Sequence, residues 1–437
     1  MKISARTLIY LFTSGLFLLL TQSCLKDSCD GVQKFIQFDP IYLTVDEIRK
    51  DIQIGSPREL CKPGKLFYYS DYIFVNEFRE GVHIIDNRDS ENPVNVAFIQ
   101  IPGNVDVAVK GNVMYADNYI DLLAFDITDP TNPSFKTRTE NVFETIGLDE
   151  ELGHLVYYVE TENVVEVECN DPNFGSNKWF EDNRVFLPNA ASMDNSGGFD
   201  IDSNTSGAPS GGIAGSFASF SVINDWLYII DEWRLDVFDL ADPCNPVFTN
   251  AVDVEWNIET LFPYGDDLLF MGSQNGMFIF SLENPSNPNM VGEFRHARAC
   301  DPVVVKDDIA YVTLRSGTFC DGFTNQLDVI DVSNVFNPTL LASFPMENPH
   351  GLSVKDNTLY LCEGEGGVKA FDISDINNIG ENMLDSDNSN DAYDIIALPH
   401  KNVALMIGAD GFHQYDITDP SNLKRISHIQ ANENNCD

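Results

Sequence analysis

Seven residues head successive short apolar runs at spacings of roughly forty or more: Asp106, Glu144, Ser219, Glu259, Asp301, His350 and Asp394. Most are acids. Carboxylates drawn together at one place can hold a cation or a basic ligand. They also raise one another's pKa, so that some of them could serve as general acids or bases. Segments further along the same units add Asn118, Glu160, Glu232, Arg315, Glu363 and Asp410, with Trp233 beside Glu232. A guanidinium recognises carboxylates, and an exposed indole face stacks on a sugar ring. Cys300 directly precedes one of the apolar runs and Cys320 lies in the same unit, so a disulfide between them is expected. Asp200-Ile201-Asp202-Ser203-Asn204 matches the opening of a calcium loop. Thr205 stands where an EF-hand needs glycine and Gly211 where it needs glutamate, so Asp200, Asp202 and Asn204 are at most a calcium site of another kind. No other cofactor is expected. The chain has no Gly-x-Ser-x-Gly, no His-Glu-x-x-His and no phosphate-binding glycine loop. Its seven histidines are scattered, with no two at ligand spacing.

What would position these groups is a repeat. Phe125-Asp126-Ile127-Thr128-Asp129-Pro130-Thr131-Asn132-Pro133 reads as the end of a strand running into a fixed turn. Alternating Phe125 and Ile127 with Asp126 is the period-2 pattern of a strand, and the two prolines stop it. The pattern recurs with its central polar residue at Asp86, Asp126, Glu168, Asp239, Ser281, Asp331, Asp372 and Asp416, in steps of 40, 42, 71, 42, 50, 41 and 44. Short strands at such a period are the signature of a propeller blade of four strands. One unit parses fully: Asp106 to Val109, Val113 to Ala116, Leu122 to Ile127 and Ser134 to Thr139. The marker acids recur once per unit and cannot converge, so they are expected to cap turns with their side chains. In a propeller the first strands line a channel, and the seven strand-heading residues would ring one mouth of it. The 71-residue step holds an insertion at about 189–215, rich in Gly, Ser, Asn and Asp, expected as a surface loop. The 50-residue step holds a smaller one at Ser316 to Asn325.

The N-terminus reads as a processing signal. Lys2 and Arg6 precede an apolar run from Leu8 to Leu20, which ends in Thr21-Gln22-Ser23-Cys24. This resembles a bacterial lipobox, in which Cys24 is lipidated and becomes the mature N-terminus. The 437 residues carry 68 acids against 26 bases, a net charge of −42. Such a surface repels nucleic acid and anionic lipid headgroups and favours basic partners. Eight further cysteines in an oxidising compartment read as disulfide formers, with Cys169–Cys244 and Cys29–Cys61 as further pairings.

The repeat, Leu/Val-x-Val/Ile-x-Asp-Ile/Val-Ser/Thr-Asp-Pro-x-Asn-Pro, resembles the LVIVD repeat of bacterial surface propellers. Gly81 to Asn87, Ile101 to Asp106, Cys300 to Val305 and Asn348 to Leu352 resemble a subgroup of lipid-anchored LVIVD-repeat proteins in Bacteroidetes-type bacteria. Ser281 and Glu168 depart from the pattern, and the last two units lack the second proline, at Ile379 and Leu423. The resemblance implies a fold and an address, not an activity.

The expectation is therefore an all-β protein: a signal peptide over 1–23, a lipid-anchored stalk over 24–63 and one propeller over 64–432. Eight four-stranded blades follow from eight markers, with seven as the alternative. The expected function is a non-catalytic binding or scaffold module at the outer membrane, held there by lipid alone. It would engage a protein or glycan, and no nucleic acid, through a mouth bearing Asp106, Glu144, Glu259, Asp301, Arg315, His350, Asp394 and Trp233. The rivals are a glycan hydrolase or lyase using mouth carboxylates, and a calcium-ordered structural module. Fold does not choose among them.

Overall fold

The computed structural model describes residues 32–432, apart from 51, 170, 175, 177, 182, 189–212, 218, 232, 255–257, 274, 297–301 and 317–323. Among these residues the elements are almost all antiparallel strands, gathered into eight sheets. Six have four strands, one has five and one has six. No helix among the described residues is long and apolar enough to cross a membrane.

The chain divides into two units. One comprises Met1–Ile41 and Tyr157–Asn195, and the other Tyr42–Val156 and Ser196–Asp437. The third marker, Glu168, ends the long strand Gly153–Glu168 of the five-stranded sheet, whose other members include Val32–Leu43, Trp179–Glu181 and Arg184–Pro188. Residues 32–43 fall in the region read as a stalk, where the aromatic and β-branched residues of Phe35 to Val45 suggest a short strand, and they form a paired strand. Phe35, Val167 and Phe186 form a small apolar cluster of the first unit, with Trp179 stacked 3.9 Å from the Phe186 ring.

The second unit holds the other seven sheets. Their leading strands are Pro63–Tyr69, Val107–Lys110, Phe220–Ile223, Ile258–Tyr264, Val303–Lys306, Leu352–Lys355 and Ala392–Ala397. The second sheet runs Val107–Lys110, Val113–Asn118, Asp121–Asp126, Ser134–Thr139, within a residue or two of the boundaries expected from the repeat. Central strands are apolar on both faces, as in Ile73-Phe74-Val75, because each sheet is covered on both sides. Tyr228, Ile230 and Val237 of the third sheet pack on Leu261, Leu269 and Met271 of the fourth. Ile396, Leu405 and Ile407 of the seventh pack on Leu66, Ile73 and Val75 of the first. The leading strands touch in sequence order, and the seventh touches the first.

The marker turn is built the same way in all seven sheets. The backbone N–H two residues on donates to the marker side chain: Arg88 to Asp86, Thr128 to Asp126, Ala241 to Asp239, Ser333 to Asp331, Ser374 to Asp372 and Thr418 to Asp416. Ser281, which breaks the acidic pattern, keeps the bond with its hydroxyl accepting from Glu283 N. The following residue then donates its N–H to the turn between the first two strands, as Ile127 does to Asn112 O and Ile417 to Asn402 O. The marker acids are therefore turn caps, as their spacing suggests. Those at Asp331, Asp372 and Asp416 sit below the usual carboxylate range because side-chain and backbone donors favour the charged form.

Candidate functional site

Asp106, Glu259 and Asp394, three of the strand-heading acids, do not face open water. Asp106 is buried, with Oδ1 accepting from Val107 N at 2.7 Å. Its Oδ2 accepts from Ser219 N, Ser219 Oγ and Phe220 N, which ties the second sheet to the third. Lys65 Nζ stands 3.6 Å from the same oxygen and donates to Ser219 Oγ at 3.3 Å. Asp117, at the far end of the next strand, accepts from Val105 N, Asp106 N and Asn104 Nδ2. Burial pushes the Asp117 carboxyl up to about 6 against those bonds. Burial also pushes Asp106 up, opposed first by the charge of Lys65.

Asp394 is held similarly, by an unexpected partner. Its Oδ1 accepts from Ser216 N at 3.0 Å, Ser216 Oγ at 2.6 Å and Ile395 N at 2.9 Å. Ser216 Oγ also accepts from Leu352 N, and Gly215 N donates to Leu66 O. Ile213–Ala214 pairs antiparallel with the leading strand of the first sheet, through Tyr68 and Phe67. The end of the insertion is thus threaded against the leading strands of the first, sixth and seventh sheets. The composition predicts a surface loop over about 189–215, yet its last residues Ala214 and Gly215 are buried, as is Ser216 just beyond it. The approach is too close for side chains: a Cβ on Gly215 would lie 1.8 Å from Asp394 Oδ2, and one on Gly351 2.2 Å from Asp394 Oδ1. Burial pushes Asp394 up to about 6, with the Ser216 bonds opposing.

A less closed cluster surrounds His350. The imidazole is 7% exposed, and Arg315 Nη1 lies 3.0 and 3.1 Å from its two ring nitrogens. Burial and the adjacent guanidinium hold His350 well below its usual range, so it is neutral near pH 7. The Tyr393 ring is 5.5 Å away, and Tyr393 Oη donates to Asp391 Oδ2. Gly364 (φ 53°) brings its backbone so close that an added Cβ would meet Asn348 Nδ2 at 2.7 Å and His350 Nε2 at 3.1 Å. Glu363 Oε2 accepts from Glu347 N, Asn348 N and Lys369 Nζ, whereas Glu363 Oε1 and Asp391 Oδ1 are buried without a partner. Burial raises Asp391 above its usual range. Unpaired buried oxygens carry a desolvation penalty of about 1–3 kcal/mol each, which a donor from a ligand would relieve.

The remaining expected site residues divide. Glu144 heads no strand: it lies in the connection before Gly147–Asp149, and its carboxylate accepts from Arg234 Nη1 at 2.8 Å. That alignment fails because the third repeat does not build a sheet of the kind the other seven do. Glu259 is buried at the head of its strand. Trp233 is half-buried in the turn before Arg234–Asp239 and accepts from Val254 N through its carbonyl. Cys244 carries a free thiol, so it makes no bridge to Cys169. Cys24, Cys29, Asp200, Asp202, Asn204, Cys300, Asp301 and Cys320 lie outside the described residues. Lys65, Asp117, Ser216 and Asp391 were missed. Lys65 and Ser216 find their partners on other sheets, Asp117 at the start of its own sheet and Asp391 at Tyr393, and repeat alignment compares only like positions. A cavity of about 540 Å³ lies elsewhere, at the turn end of the second and third sheets, between Lys110–Val113 and Asn224–Asp225, with Cys244 on its wall.

The chain carries LVIVD repeats: that family matches residues 103–140, 214–254 and 298–345. No curated protein matches the chain. Among solved structures it is similar to the computationally designed Ika8 protein, at TM-score 0.49 and 11% identity over 86% of this chain and 92% of that one. It is also similar to PorZ, a surface component of the type-IX secretion system of Porphyromonas gingivalis, at TM-score 0.47 and 11% identity over 85% of this chain and 39% of that one. BamB from Moraxella catarrhalis aligns at TM-score 0.47 and 10% identity, over 87% of this chain and 89% of that one.

Proposed function

We propose that the seven sheets of the second unit are the blades of one closed propeller, and that this propeller is a non-catalytic binding module. Closure at seven is supported by the apolar packing of the seventh sheet on the first. A ring of this kind leaves each blade's leading strand at the axis. The observation that carries the binding reading is the state of the axial carboxylates. Asp106 and Asp394 are buried and Asp117 is half-buried, and each accepts two or more hydrogen bonds from backbone amides or Ser216. A glycan hydrolase working through mouth carboxylates would need two of them reachable by substrate, roughly 5 to 10 Å apart. The axial acids instead hold blades and insertion together.

Ligand contact falls to the rim around Arg315, Asn348, His350 and Asp391, while Glu363, as buried as the axial acids, holds the Asn348 backbone in place. The preferred partner is a protein or glycan that presents N–H, O–H or cationic donors, in keeping with the acidic surface. We further propose that Cys24 is lipidated and tethers the protein to the outer membrane, as in the Bacteroidetes-type lipoproteins that the repeat resembles. The test is a screen of purified protein against immobilised glycans and cationic peptides. Hits should be lost in Arg315→Ala and in Asn348→Ala while the melting temperature changes little. Hits that survive both substitutions would remove the rim from the reading. Incorporation of an alkynyl fatty acid that Cys24→Ala does not abolish would remove the anchor.

A further inference from the structure

The seventh sheet contains a second group of chemistry-bearing side chains, made of three residues that the axial and rim sites do not use. His413 lies on Gly411–Asp416 and His428 on Lys424–Gln430, and register sets the two directly opposite each other. Their imidazole rings stack at 4.1 Å with an interplanar angle of 10°. Asp410, in the turn that precedes His413's strand, reaches both. Its Oδ1 is 2.8 Å from His413 Nε2, its Oδ2 is 3.6 Å from His428 Nε2, and its backbone carbonyl is 3.1 Å from that same nitrogen. One donor atom from each of the three residues lies within 4.8 Å of the other two.

We propose that Asp410, His413 and His428 bind a borderline divalent transition ion of the zinc type. Two imidazoles and one carboxylate are the donor set such an ion prefers, and three protein ligands leave a fourth position open. The donor atoms are already close, but the two rings lie nearly parallel, and an ion sits in the plane of each imidazole that binds it, so ligation requires one ring to turn as well as to shift. Tetrahedral donors about 2.0–2.1 Å from zinc are roughly 3.3 Å apart. Closing from the observed spacing requires a shift of up to about 1.5 Å and a rotation of one ring out of the stack, and His428 can make both. Its side chain is 30% exposed, and the contacts that hold it are to Asp410 and the His413 ring. His413 is buried and fixed in the strand, so it supplies the rigid ligand, while the 43% exposed carboxylate of Asp410 opens the group to solvent. Calcium and magnesium prefer all-oxygen cages and do not fit two imidazoles.

The test is a titration of the metal-free full-length chain with zinc chloride, followed by calorimetry and melting temperature. Cobalt(II) serves as a spectroscopic reporter of imidazole ligation. One zinc equivalent should bind well above the weak background of the acidic surface. The melting temperature should rise with zinc and not with calcium. His428→Gln and Asp410→Asn should each weaken that equivalent at least tenfold. His428→Gln changes a half-exposed side chain, so it keeps the fold. If it does not, Asp410→Asn reads the same site. Absence of a stoichiometric zinc equivalent, or one unchanged in both variants, overturns the assignment.

Discussion

His83 and His413 occupy the same place in two sheets. Each stands two residues after the glycine that opens the third strand, Gly81 or Gly411, and each faces a fourth-strand residue across the ladder, Phe98 or His428. Around His83 everything is closed. Glu77 Oε2 lies 2.9 Å from its Nε2, and Asn95 Nδ2 lies 3.1 Å from its Nδ1. The same carboxylate accepts from Cys61 N and Lys62 N, and the Arg58 guanidinium covers Phe98 at 3.7 Å. Around His413 the carboxylate comes from a two-residue turn instead, since Gly408 occupies the position of Glu77 and a Cβ there would meet Asp391 O at 1.8 Å. The result is an open pair of imidazoles rather than a sealed one. One backbone position therefore yields a structural lock or a ligand group, according to where its carboxylate originates and what faces it.

Substitutions can break this contrast at either end. The largest effect is expected for Glu77→Ala. It strands a buried imidazole and two backbone N–H groups, and should cost about 3–5 kcal/mol in urea unfolding. A loss below 1 kcal/mol would mean that the His83 site is not a lock. Burial pushes Glu77 up, but His83 and the two amides outweigh it and its folded pKa is lowered. Its stabilisation is present above its unfolded pKa and disappears as pH falls through the folded one. Asp394 has the opposite sign. Its carboxyl is raised to about 6 from 3.8, so its contribution is full below about pH 4 and is lost as pH rises to about 6. Asp394→Asn should flatten the stability profile in that window by up to about 3 kcal/mol. Parallel profiles for the two proteins would refute it.

Phe98→His tests whether two opposed imidazoles suffice. It should cost about 1–2 kcal/mol through lost ring burial and the lost Arg58 contact, and it should create no zinc response, because Glu77 is already engaged. A zinc-dependent rise in melting temperature would contradict the role given to the carboxylate's origin. The smallest change in stability is expected for His428→Phe, the reverse swap. It should alter metal-free stability by less than about 1 kcal/mol while abolishing the zinc response.

The turn, the strands and the repeat were legible because they are local. Asp126 caps Thr128 N two residues away, and even Ser281 does so with a hydroxyl, so spacing alone predicts the bond. Alternation and the two prolines likewise mark each third strand and its end. The acids that head the leading strands were visible as a set, but not their role. Whether Asp394 meets water or an amide depends on Ser216, 178 residues away, and that insertion's composition suggests only a surface loop. His413 and His428 look unrelated in the sequence. They face each other because the turn at Asp419 to Asn422 returns the chain, and a bulge between Gln414 and Tyr415 shifts the register by one residue.

The sequence by itself determined what the chain repeats. Residues within a few positions of one another specify strand, turn and cap, and the same instruction written many times specifies sheets with two apolar faces. It also determined an acidic surface, which needs no fold to be read. Only the tertiary structure decided which carboxylates are sealed and which remain available. That outcome depends on burial and on partners brought from other sheets, and neither desolvation nor a hydrogen bond across more than a hundred residues has a local signature.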